Sequence, residues 1–424
     1  MDRRLRAAAV VAFAMLLCAA RDARAIGSAK SDSASITAVG NAWLLGAYYH
    51  SWSLNPPLMT PPDDGITAGV LRLLLDGDLP AKINYEANFY FELSRGPTRL
   101  GANTFLTASS FVTPYRTQYL AWNFWNDGSV TGQMAVDRLR FTRSFGPVDV
   151  SIGRFPINHS VTFLFTPNDF FAPFSATTLN KSYKPGVDAV RVNVGLGQLS
   201  GLEVLGVLGS DPDGTPAWSR SALTARLETV LLGFHGSIIG GKIAERWILG
   251  GTLQGDIKGI IGLRAEGNFS MPDRNGDGHI DGPLFGQVAA RVEHSWPWHN
   301  LSIGGEYAFF SDGAPVPADY LVRATMFYPD ELPYLGEHYV GVNAGIDLIA
   351  ILNLGVVGLV NAADGSGITT VSLTYNASNE VDLNLGMLAG WGYRPRAAPD
   401  GTIVIRSEFG ATPITAFLQT TISF

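Results

Sequence analysis

Residues Lys82 to Leu93 alternate without a break. Lys82, Asn84, Glu86, Asn88, Tyr90 and Glu92 interleave with Ile83, Tyr85, Ala87, Phe89, Phe91 and Leu93. A strand turns successive side chains to opposite faces, so this segment has one polar face and one wholly apolar, aromatic face. It is also about twice as long as the usual strand of about five or six residues. The same period recurs in Val187 to Leu196, Lys258 to Phe269, Gln287 to Trp296 and Val381 to Trp391. In the third of these, Gln287, Arg291 and Glu293 oppose Val288, Ala290, Val292 and Trp296. The segment Gln133 to Phe145 breaks the rule, because Asp137 falls on the face of Leu139 and Phe141; a bulge would account for it.

Composition narrows what these strands can build. Only 16% of the 424 residues are charged, against roughly 25% in an average soluble protein. Past the N-terminus no stretch of about 18 apolar residues exists to form a spanning helix. Apolar residues make up 46% and aromatics 11%, which excludes a disordered chain. Lipid tolerates β-structure only as a closed barrel, because every backbone group must be paired. The expected fold is therefore all-β, a transmembrane antiparallel up-and-down β-barrel of about 18 strands, within a range of 16–18. Short links are expected near Asp76-Gly77-Asp78, Gly146-Pro147, Gly197-Gln198, Val230 to Gly233, Gly255-Asp256, Pro297 to Asn300, Leu348 to Ala350 and Ala377 to Asn379. Longer ones fall between them at 51–65, 94–130, 158–185, 209–220, 241–246, 270–284, 311–335, 361–367 and 393–412. Short periplasmic turns alternating with long outer loops are the bacterial outer-membrane pattern.

Both ends fit that compartment. Met1 to Arg6 is basic, Ala7 to Ala20 is apolar but too short to span, and Ala23-Arg24-Ala25 is a cleavage signal. Residues 1–25 are read as a cleaved signal peptide, 26–35 as a short periplasmic segment and 36–424 as the barrel. The one cysteine, Cys18, lies in the leader with Leu17 before it, which disfavours lipidation. The leader carries five Arg and two Asp, so the remaining 399 residues hold 25 basic and 35 acidic side chains. That balance excludes nucleic acid as a partner. The expected partners are outer-membrane lipid, a small-molecule solute and the barrel-assembly machinery. Ile414 to Phe424 places Ala416, Leu418, Thr420, Ile422 and Phe424 on one face. A terminal Phe424 on such a strand resembles the insertion signal of outer-membrane barrels. Nothing in the sequence indicates an oligomeric state.

Three features could carry function. First, Arg226-Leu-Glu228, Arg264-Ala-Glu266 and Arg291-Val-Glu293 each place opposite charges on one strand face, with Arg191, Glu203 and Glu306 beside them. As pore-lining residues they would give a polar lumen with a transverse field; as neutralised pairs they would stiffen the wall. Second, the segment 158–185 carries Phe163, Phe165, Asp169, Phe170, Phe171 and Phe174, followed by Lys181 and Lys184. Such an aromatic loop would avoid open water, either by folding into the barrel as a constriction or by packing as plain structure. Third, Asp273, Asn275, Asp277, His279 and Asp281 match the first nine positions of an EF-hand-type calcium loop, with Gly278 at the sharp turn. Leu284 replaces the bidentate Glu at the twelfth position, so any structural calcium there would bind weakly; the other reading is a plain Asp/Asn/Gly turn. No cofactor is otherwise implied.

A resemblance sharpens this. The runs Ile152-Gly-Arg154-Phe-Pro-Ile157, Phe165-Thr-Pro-Asn-Asp169-Phe and Lys184-Pro-Gly-Val-Asp188-Ala-Val-Arg191, with Ser407-Glu-Phe-Gly410 near the end, resemble large Gram-negative porin-like barrels. They are similar to 18-stranded porins and to exporters of the alginate-export type. The resemblance implies an outer-membrane transport role. Neither G-x-S-x-G nor H-E-x-x-H occurs, and His159-Ser160 are sequence neighbours that a strand would point apart, so no enzyme is expected. The leading reading is a channel for passive diffusion of small hydrophilic or amphipathic solutes, constricted by the loop 158–185. Its rivals are a transporter or exporter of a hydrophobic or polymeric substrate, and a structural or surface-interaction barrel.

Overall fold

A computed structural model describes residues 27–31, 34–50, 63–96, 113–174, 183–326, 334–400 and 402–424. The proposed leader and Lys181 lie outside the described residues. Among those described, eighteen strands form one closed antiparallel wall. They are β1 Ser35–His50, β2 Asp63–Leu79, β3 Ile83–Arg95, β4 Val130–Phe145, β5 Val148–Phe155 and β6 Val187–Gly195. Then come β7 Ser200–Val207, β8 Ala222–Leu231, β9 Phe234–Ile243, β10 Arg246–Ile257, β11 Ile261–Pro272 and β12 Phe285–Ser295. The last six are β13 Ser302–Phe310, β14 His338–Ile349, β15 Leu352–Asn361, β16 Gly367–Asn376, β17 Val381–Trp391 and β18 Ile414–Ser423. Each pairs with its sequence neighbour, and β18 closes on β1 from Ser423↔Asn41 to Ile414↔His50. The ring is thereby closed, as lipid requires of β-structure.

Alternation sets the two faces. On β11, Glu266 is 5% exposed while its neighbour in the outward row, Phe269, is 45% exposed. Outward rows carry apolar side chains such as Phe91, Leu93, Val288 and Val292, and inward rows carry the charges. Three apolar clusters sit inside the ring, one of them joining Phe170 and Phe171 to wall residues of β5 to β10. Another joins Leu164 and Phe165 to β12–β17.

The links depart from expectation in register. The Asp76-Gly77-Asp78 turn is still strand, and the chain turns at Pro80 to Lys82. Likewise β10 runs through Gly255 and Asp256 to Ile257, so Lys258 belongs to a turn and not to β11. The turn expected over Leu348 to Ala350 lies at Ala350 and Ile351. Strand ends that emerge from lipid can stay extended with polar residues, so polarity alone does not mark a turn. The long link expected at 241–246 shrinks to Ala244 and Glu245, because β9 and β10 pair from Ile243↔Arg246. Residues Gly27–Lys30 pair back on β1, giving part of the expected periplasmic segment strand structure. Asp137 sits at the expected irregularity: Asn88 pairs Arg138 and Phe89 pairs Val136, leaving Asp137 as the extra residue of a bulge. The connection 94–130 contains a strand, Ala121–Asp127, hydrogen-bonded to the upper half of β4. Its Trp122, Phe124 and Trp125 are exposed.

Candidate functional site

The segment after β5 turns into the ring and lies along the inner wall. His159 Nε2 is 2.7 Å from Glu203 Oε1 on β7. Next, Glu266 on β11 accepts hydrogen bonds from Ser160 Oγ and from the backbone N–H of Val161, Thr162 and Asn168. Glu306 on β13 then accepts three consecutive N–H groups, from Phe163 at 3.0 Å, Leu164 at 3.0 Å and Phe165 at 2.6 Å. Side-chain amides finish the docking: Asn268 donates to Pro167 O at 2.9 Å, and Asn168 to Gly251 O at 2.9 Å. At β14 a Cβ on Gly341 would meet Leu164 and Phe165, so only glycine lets the loop lie this close. A loop carries unpaired backbone donors; here buried carboxylates of the wall satisfy them.

The aromatic residues divide by this docking. Phe165, Phe170 and Phe171 are fully buried between loop and wall. Phe165 sits in a ring cluster with Tyr334 and Tyr339, at centroid distances of 5.5 and 5.7 Å. Phe174 is partly buried. Phe163 is 48% exposed, with the Arg291 guanidinium 5.1 Å from its ring centroid. Asp169 is buried in an ion pair with Lys184, which joins the outgoing and returning arms of the segment. Beyond it, Tyr183 lies between two guanidiniums, Arg72 at 4.2 Å and Arg138 at 4.1 Å, and its hydroxyl is 2.6 Å from Asn88.

The inward charges fall into pairs. Arg264 and Arg291 both reach Glu293, at 2.8 Å each. Arg291 also lies 3.5 Å from Glu306. Arg226 meets Glu228 at 2.9 Å, and Arg191 lies 3.8 Å from Glu203. Glu86 holds Arg138 at 3.0 Å and Arg140 at 3.1 Å. Glu266 and Glu306 face inward but are covered by the loop.

The calcium-like segment serves its own turn in this arrangement. Asp273 is fully buried; its carboxylate accepts from Gly278 N–H and, at 3.1 Å, from the Trp247 indole. Asp281 accepts from the Asn275 N–H, while Asp277 accepts from His279 N–H at 2.9 Å. Among the described residues no three acidic, His or Cys side chains converge as metal ligands.

Sequence reasoning missed several residues that hold this site. Asp137, the bulged residue, is buried 3.1 Å from Arg116. Arg154 and Asp188, from two of the family-like runs, form a two-point ion pair at 2.6 and 2.8 Å. Glu408 accepts from Leu335 N–H at 3.0 Å, Asn361 at 2.7 Å and the Tyr339 hydroxyl at 2.5 Å. Burial pushes the Glu408 carboxyl up to about 7. The recurring runs were visible in sequence, but which charges they pair was not.

No family model matches the chain, and no curated protein matches it. Solved structures do. A BenF-like porin from Pseudomonas fluorescens Pf-5 matches with a TM-score of 0.57 at 8% identity, covering 92% of this chain and 98% of that one. OccAB4 of Acinetobacter baumannii matches at 0.53 and 12% identity, and Pseudomonas aeruginosa OpdK, solved with vanillate, at 0.53 and 11%. Both cover 91% of this chain and 98% of theirs. At such identities the likeness shows the fold alone: an 18-stranded antiparallel barrel like that of these porins.

Proposed function

We propose that this protein is an outer-membrane channel for passive diffusion of small hydrophilic or amphipathic solutes, narrowed by the loop 158–185. The observation that carries it is the double anchorage of that loop by Glu266 and Glu306, which holds six of its backbone N–H groups on strands β11 and β13. A barrel of 16 to 18 strands is wide enough to leave a water-filled channel, so a loop fixed inside it sets the narrowest section. The aromatic contribution to that section is Phe163, since its neighbours Phe165, Phe170 and Phe171 are spent on packing. Beside Phe163, the Arg264–Glu293–Arg291 group offers charged contacts of both signs.

Planar-bilayer recording on purified protein tests this directly. Wild-type protein is expected to conduct, and a variant lacking Phe163 to Phe174 is expected to conduct more per channel. A closed trace under all conditions rejects the channel; unchanged unitary conductance in the deletion rejects the loop as its constriction.

A further inference from the structure

Among the described residues there is a place in the wall where the ladder is interrupted and side chains help seal the gap. Along the edge of β4 that faces β5, residues Leu139 to Phe145 pair with β5, and residues Val130 to Ala135 pair with the strand Ala121–Asp127. Between them Val136, Asp137 and Arg138 have no strand beside them on that edge. The gap lies above two short strands of the barrel, β5 of 8 residues and β6 of 9. Gly153 has φ +122° there, and any Cβ would run into the Leu139 carbonyl, so β5 leaves the ladder sharply.

Ion pairs and a backbone hydrogen bond, from Asp188 N–H to Tyr115 O at 2.9 Å, fill the gap. Arg154 donates to the carbonyl of Val136 at 2.9 Å, to Thr117 O at 3.0 Å, and to Asp188. Asp188 accepts the Thr117 N–H at 2.6 Å, and Arg116 reaches the bulged Asp137. The segment 114–120 is thus laid across the opening, tied to the far side by Ser210 N–H donating to Pro114 O. On the lipid side lies an apolar cavity of about 380 Å³, bordered by Leu120, Ile152, Val190 and Leu208, with the Arg154–Asp188 pair at its base. On the lumen side, directly behind, are Tyr115, Phe155 and Phe171 of the inner apolar cluster. Ladder hydrogen bonds between strands make a continuous seal; a buried ion pair is a discrete contact whose desolvation cost offsets much of its attraction. The seam therefore has an apolar cavity on its lipid side and a packed apolar cluster, not ladder hydrogen bonds, on its inner side.

We propose that this seam is a lateral portal, through which a single-chain amphiphile passes between the outer leaflet and the lumen. Its hydrocarbon chain is received by the apolar cavity, and its polar head by the charged seam. The proposal rests on the channel reading, because the lumen is the other end of the route.

The test uses the full chain with Cys18 replaced by Ala, and a Leu120→Cys/Val190→Cys pair bridged across the cavity by a bismaleimide. The probe is a fluorescent lysophosphatidylcholine in proteoliposomes whose barrels are inserted with the 94–130 connection toward the vesicle interior, checked by protease access, so that the seam opens on the inner leaflet; albumin outside, too large to enter the pore, extracts the probe that leaves the lumen. Planar-bilayer conductance is recorded in parallel. The expected result is transfer of the inner-leaflet probe by unbridged protein, loss of that transfer on bridging, and unchanged conductance. A second variant, Arg154→Met/Asp188→Leu, removes the ionic seal and is expected to speed transfer. Conductance without probe transfer, or transfer indifferent to both bridge and seal, overturns the portal and leaves the channel standing. Absence of conductance in every form overturns the channel reading and the portal with it.

Discussion

Glu306 is placed so that one carboxylate meets three successive backbone donors, while the side chain itself is removed from water. Hydrogen bonds to a charged acceptor contribute more than neutral ones, and leaving their donors buried and unmatched costs about 1–3 kcal/mol for each group. Glu306→Gln keeps the shape but offers one weaker acceptor oxygen and an amide that opposes the N–H groups. Its single-channel current is expected to become noisy, with excursions to larger conductance; a quiet wild-type trace would show that the loop does not depend on this anchor. Glu293 has a different task, since two guanidiniums share it. Glu293→Gln leaves both without a carboxylate there, and the reversal potential in a potassium chloride gradient is expected to move toward chloride. In the sequence Glu266, Glu293 and Glu306 look alike, each on the polar face of a strand. Only the fold separates the one that faces the lumen from the two under the loop, because their partners come from 98 to 143 residues away.

At the scale of elements, the strands were legible and the outer loops were not. Strands advertise themselves by period two, and even the fault in the pattern at Asp137 marked a real bulge. Loops carry no such period. Glu408 shows what lay hidden there: it ties the link 392–413 to Leu335, to Tyr339 at the start of β14 and to Asn361 at the end of β15. Asp364 accepts the Glu408 N–H at 2.7 Å and the Tyr320 hydroxyl at 2.9 Å, adding a second acid to the same cluster. Burial favours the neutral form of Glu408, so its carboxyl titrates near 7 in the folded protein and near its ordinary, lower value when the loops are undocked. A raised carboxyl value contributes stability that is complete at acid pH and is lost as pH rises through about 7. Hydrogen exchange in these loops is therefore expected to be slower at pH 5 than at pH 8, beyond the intrinsic rate change. In Glu408→Gln that difference should vanish; a difference that persists assigns the effect to another group.

For the whole molecule, the closing seam between β18 and β1 is extended by Phe424. Phe424 exchanges backbone hydrogen bonds with Gly40, at 2.5 and 2.8 Å, and its ring lies over that glycine where a Cβ would stand. Gly40→Val is expected to lower the fraction of heat-modifiable, folded barrel on a gel, and Phe424→Ala in that background should recover part of it if the collision is the cause. The low charge of the chain also finds its place at this scale, since the lipid-facing rows hold almost none and the inner wall and loops hold the rest.

The loop anchors also impose an order of events. The hydroxyl of Ser160 and the N–H of Phe163 find their acceptors 106 and 143 residues further along the chain. A contact so distant in sequence forms only after the intervening wall is in place, because closing that span earlier costs entropy with nothing to hold it. The pairs that close the ring are more distant still, from His50↔Ile414 to Asn41↔Ser423, so by the same entropic cost these anchors form before the ring shuts. The wall then closes around a loop it already holds.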